Sequence, residues 1–146
     1  HVRHTKNSSI KLESVKSIML ESHSFFSRMK EVSEAMLTCR LETTQREAYY
    51  SSVLGLYDEN REITSTRSKN VLTEVMNLEE TGKGTELPGV KGSLWGSYNA
   101  VVEYVDFVKA VKGETEDVTK RTESIIFGNG RNIKETAYNE ALALIA

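Results

Sequence analysis

Over residues 8–37 apolar side chains return every three or four positions, and no proline breaks the run. Ile10, Val15, Ile18, Met19, Phe25, Phe26, Met29, Val32 and Met36 form one stripe, the signature of an amphipathic helix. At 1.5 Å per residue such a helix is about 45 Å long. That is too long for one short partner to cover. The stretch is therefore read as the spine of a bundle or as an arm reaching another subunit.

The rest of the chain repeats the helical period in shorter pieces. Thr44 and Glu47 have capping-box spacing and open a second helix over 45–56, with Ala48, Tyr49, Val53 and Leu56 inward. A third spans 65–80, carries Val71, Leu72, Val75, Met76 and Leu78, and ends at Gly82 in an expected left-handed turn. The segment "TGKGTELPGVKGS" holds the only proline, Pro88, and reads as an ordered connector or a mobile flap. Ser93 then caps a helix whose Leu94, Trp95, Tyr98, Val101, Val102, Val105 and Val108 share a face. This is expected to be a core helix, with the Trp95 indole inside and Gly96, Ser97 and Ala100 letting another helix cross closely. A more exposed helix is expected within 109–128, and a last one over 133–146 capped by Asn132. The sum is an all-α bundle of about five to six helices in one domain over 1–146, with a short strand at Val2.

Composition narrows the function classes. With 38% hydrophobic and 27% charged residues, an ordinary soluble core is expected and disorder is not. The formal net charge of −2 gives no overall pull on nucleic acid, so such contact would need a local basic patch. Apolar runs are far too short to span a membrane. The single Cys39 excludes an intramolecular disulfide and reads as a small core residue. The chain opens on His1 without an initiator methionine, so it is expected to be part of a longer protein whose upstream region partners the first residues.

No catalytic constellation stands out. His1, His4 and His23 lack the HxxxH or HxxE partners of a metal site, and no metal or cofactor is expected. Glu103 and Asp106, three apart on one helix, are an acid pair able to bind a divalent ion or move a proton, but such pairs are mostly solvated surface. No GxSxG or SxxK pattern supports a hydrolase. Two basic groups are the binding candidates. Arg3, His4, Lys6 and Lys11 cluster at the N-terminus, and Arg131 and Lys134 follow glycines in "GNGRNIK". Glycines before a helix start can present open amides to a phosphate, although a plain helix–helix turn accounts for the same residues.

Taken together, three segments resemble the C-terminal half of the phage/plasmid-like protein family, a family of unknown function. Arg3, His4 and Thr5 match its "RHT" segment. Gly92, Leu94, Trp95, Gly96, Tyr98, Asn99, Ala100, Val101, Glu103, Tyr104, Val105 and Asp106 match its long central motif. Gly128, Gly130 and Lys134 match its final one. Ser93, Val102 and Phe107 depart from the pattern, and Phe107 replaces a histidine beside Asp106, which weakens a metal or acid–base role there. The resemblance implies a non-catalytic mobile-element protein in a bacterial cytoplasm. It further implies single-stranded nucleic-acid binding or support of DNA recombination and annealing, with Arg3, His4, Lys6, Lys11, Arg131 and Lys134 on phosphates and Trp95 or Tyr98 stacking if exposed. The alternative is a protein-interaction or self-assembly module whose partner is a second copy or the region upstream.

Overall fold

A computed structural model describes residues 6–108 and 129–146, with side chains from residue 11 onward in the first stretch and from 130 in the second. Its described residues form five helices and no strand, so the fold is all-α. They are α1 (Lys6–Thr38), α2 (Thr43–Leu54), α3 (Thr66–Thr81), α4 (Leu94–Glu103) and α5 (Asn129–Ile145). The expected strand at Val2 and the expected helix within 109–128 lie outside the described residues.

The chain divides into two units inside α1, one up to Glu34 and one from Ala35 to Ala146. In the first, the helix is exposed nearly all round. In the second, the end of α1 and the four shorter helices enclose a core. Met36, Tyr50, Val75, Leu94, Val101, Ala137 and Ala141 are fully shielded from solvent there. Helix α4 is central and packs against α2, α3 and α5.

The buried side of α4 differs from the valine face that its periodicity suggests. Leu94, Val101 and Val105 are buried as expected, but so are Ser97, Ala100 and Tyr104. Trp95, Tyr98 and Val102 are only half-buried, and Val108 is exposed. Two physical reasons apply. Small side chains let neighbours approach on the Gly96–Ala100 side. In addition, α4 runs on as a π turn over Tyr104–Val108, and its wider hydrogen-bond loop swings the following residues out of α register.

The caps also correct the sequence reading in detail. The box opening α2 is Glu42 with Gln45, two residues before the expected pair: the Glu42 N–H donates to Gln45 Oε1 at 2.8 Å. Ser65 caps α3, accepting from Ser68 N at 3.1 Å, and Ser93 caps α4, accepting from Gly96 N at 3.0 Å. Gly82 is extended (φ −70°, ψ 177°), not left-handed. Glycine is needed there because a Cβ would sit 2.5 Å from Glu103 Oε2 and 2.6 Å from the Leu78 carbonyl. Likewise the close neighbour of Gly96 is the Val90 carbonyl of the preceding loop, not another helix. Helix α5 starts at Asn129, so Asn132 lies within it and is not its cap. Its carbonyl accepts from Thr136 Oγ1 at 2.9 Å.

The glycine-rich stretch from Gly82 to Ser93 is an ordered connector. Successive turns link it internally, from Thr85 N to Gly82 O through Ser93 N to Val90 O. Leu41 N donates to Gly92 O at 2.9 Å, and Leu94 N donates to Cys39 O at 2.8 Å, forming one antiparallel bridge. The Arg40 guanidinium donates to the carbonyls of Gly89, at 2.6 Å, and Lys91. Cys39, expected in the core, is only half-buried beside this bridge.

Candidate functional site

Among the described residues of the second unit is a buried, heavily bonded polar cluster that sequence spacing does not reveal. Glu79 of α3 is 7% exposed. Its carboxylate faces Arg46 of α2, whose Nε lies 3.1 Å from Oε2 and 3.3 Å from Oε1. Tyr50 also donates its hydroxyl to Oε2. The Arg46 guanidinium further donates to the Leu41 carbonyl at 2.5 Å. Burial, reinforced by the Glu79 carboxylate, pushes the Tyr50 phenol well above its ordinary range, so it stays a donor. Both carboxylate oxygens are engaged by fixed donors. The cluster therefore ties α2 to α3 and offers no base for a proton transfer. Nothing in the sequence marks it, because Glu79 lies 33 residues from Arg46 and 29 from Tyr50, and only folding joins them.

The candidate acid pair is drawn to separate neighbours. Glu103 accepts from the Lys83 N–H at 3.0 Å beside Gly82. Asp106 Oδ1 lies 3.0 Å from Lys134 Nζ, both side chains being largely covered. Among the described residues, no group of three or more His, Cys, Asp or Glu side chains is placed to hold a metal ion.

The candidate phosphate contacts divide in the same way. Arg131 pairs with Glu135, Nε to Oε1 3.0 Å, one turn along α5. Lys134 pairs with Asp106, as above. From Asn129 onward "GNGRNIK" is helix, not a turn, and Gly128 lies outside the described residues. Arg3 and His4 lie outside them too. Lys6 stands in the first turn of α1, and Lys11 and His23 are exposed on the same helix. Trp95 is neither sealed nor presented as a platform. Its ring centroid is 6.0 Å from that of Tyr98, which is 6.1 Å from that of Tyr138.

Concavities among the described residues include these two. One, about 470 Å³, lies at the start of α3 and is lined by Ser52, Ser65, Ser68, Tyr104 and one charged side chain, Arg67, over an apolar floor. The other, about 370 Å³, is a shallow apolar groove between α2 and α5 with Ala48, Tyr49 and Leu144 in its walls. In the groove Ser52 Oγ donates to Glu140 Oε1 at 2.8 Å, an exposed hydroxyl–carboxylate pair between the two helices.

The most unusual surface is the first unit. Along α1, Val15 is 51% exposed, Ile18 61%, Met19 66%, Phe25 58% and Phe26 68%. The two phenylalanine rings meet edge to face, centroids 5.7 Å apart. Scattered apolar residues are normal on a protein surface, but a continuous stripe of large ones marks an interaction surface. The sequence does disclose this stripe; it does not disclose that the stripe is uncovered.

These features define a helical protein with an exposed apolar helix. The family model of a domain of unknown function, DUF932, matches residues 1–126, and the chain belongs to that family. No curated protein and no solved structure is a significant match to it. The matched span includes α1 to α4 and stops short of α5, which nonetheless supplies Ala137 and Ala141 to the core. No helix among the described residues is long and apolar enough to cross a membrane.

Proposed function

We propose that this chain is a non-catalytic assembly module, part of a phage- or plasmid-encoded protein acting in a bacterial cytoplasm, and that α1 is its contact surface. One observation carries the reading: Ile18, Met19, Phe25 and Phe26 each leave more than half of their surface in water on one helix. Burying such side chains is worth about 1.5–3 kcal/mol each, so a partner that covers the stripe gains several times that. The mobile-element setting comes from the central-motif resemblance.

Single-stranded DNA binding, the other function implied by the resemblance, draws less support. Two of its six candidate contacts, Arg131 and Lys134, already face carboxylates. The remaining four lie at the N-terminus. Two measurements test the choice. Light scattering of the intact chain is expected to give a mass above that of the monomer, reduced by Phe25→Ser with Phe26→Ser. Retention on single-stranded DNA at low salt is expected to be weak. A strict monomer that binds such DNA with a steep salt dependence would reverse the assignment.

A further inference from the structure

We infer that the occupant of the α1 stripe is the same stripe of a second copy, running antiparallel. The inference rests on the assembly reading and adds the partner and its orientation.

The pattern supports this first. The exposed stripe follows a seven-residue repeat. Val15, Ser22 and Met29 hold one seam position, Ile18, Phe25 and Val32 the other, and Met19 and Phe26 widen the face. Met29 and Val32 are half-buried; Val15, Ile18, Ser22 and Phe25 are exposed. In an antiparallel pair the two seam positions face each other. The register that centres the stripe on itself sets Phe25 against Ser22 of the second copy, and Ile18 against its Met29. The largest side chain then meets the smallest, twice, about the two-fold axis. A parallel pair instead sets Phe25 on Phe25 and Ser22 on Ser22, which crowds one layer and leaves a gap in the next.

Charge supports the same orientation independently. Glu21 and Arg28 occupy the position flanking the seam, one heptad apart. In the antiparallel register Glu21 is offset by about 3 Å along the axis from Arg28 of the second copy, two residues of helical rise. Helical side chains lean toward their own N-terminus, which closes that offset from both sides. Each dimer thus gains two such pairs. A parallel pair sets Glu21 opposite Phe26 and Arg28 opposite Ser33, with no ion pair at either place.

Charge reversal of the intact chain, followed by light scattering, tests this. Glu21→Arg and Arg28→Glu are each expected to weaken association about tenfold, since each turns both attractive pairs into repulsive ones. The double variant is expected to restore it. Both sites are exposed, and circular dichroism checks that the helices persist. Spin labels at Lys16→Cys, in a Cys39→Ser background, are expected about 22 Å apart along the axis in the antiparallel pair and level in a parallel one. A dimer that ignores the reversals, or that holds the labels level, overturns the antiparallel pair and leaves assembly standing. A strictly monomeric wild-type chain overturns both.

Discussion

Helices α1 and α4 carry the same kind of pattern and meet opposite fates. Each has large apolar residues at helical spacing, yet α4 is packed from several sides while α1 holds its phenylalanines in water through most of its length. The periodicity of a sequence reveals which face of a helix is apolar. It does not reveal what covers that face. In α4 the covering groups are other helices of the same unit, admitted by Ser97 and Ala100. In α1 the pattern lies in a unit whose described part is one helix, so whatever covers it comes from elsewhere.

This contrast is open to breakage at several points. The largest effect is expected from Arg46→Ala, which strands the Glu79 carboxylate at 7% exposure. Removing one partner of a buried ion pair costs about 3–5 kcal/mol, and urea unfolding should show that loss in full. Gly96→Ala, which drives a methyl into the Val90 carbonyl, is expected to cost about 1–3 kcal/mol in the same assay. By contrast, Phe25→Ser with Phe26→Ser should leave the unfolding midpoint of the helical unit nearly unchanged, within about 0.5 kcal/mol, while lowering the scattered mass. A large stability loss there would mean that α1 is covered within its own chain. Arg131→Ala, removing an exposed pair one turn apart, should change stability by no more than about 0.5 kcal/mol.

The smallest expected effect is on pH dependence. Asp58 is held below the usual carboxylate range, chiefly by the Glu62 N–H, with Thr64 and the Asn60 N–H adding to it. A lowered folded-state value means that this contribution is present above the ordinary aspartate range and fades as pH falls through it. Asp58→Asn should therefore lower stability slightly at neutral pH and leave the acid end little affected, which flattens the acid limb of a stability–pH curve.

Much of the helical architecture is legible from spacing alone. The long first helix, the cap at Ser93 and the last helix can be read from local patterns, because capping and amphipathicity are short-range. What escapes is what depends on contacts between distant residues. Gly82 looks like a helix stop and is instead a point where Glu103 approaches closely. Asn132 and Glu135 have capping spacing, yet α5 starts a turn earlier, so the spacing alone does not fix a helix end. The Arg46–Glu79–Tyr50 cluster is illegible for the same reason, since neither α2 nor α3 alone announces the other. Of the candidate site, the basic and acidic residues could be named from sequence, but not that Lys134 would face Asp106.

Helix α5 lies beyond the span shared with the DUF932 model, yet the Tyr49 hydroxyl donates to its Ala137 carbonyl at 2.8 Å. A fragment trimmed at the family boundary would keep each residue the family model matches and lose the wall behind α2 and α4. Its newly wetted alanine-sized recesses would be sticky in their own right. Any aggregation of such a fragment would report a missing lid, and should not be mistaken for the ordered pairing of the arm.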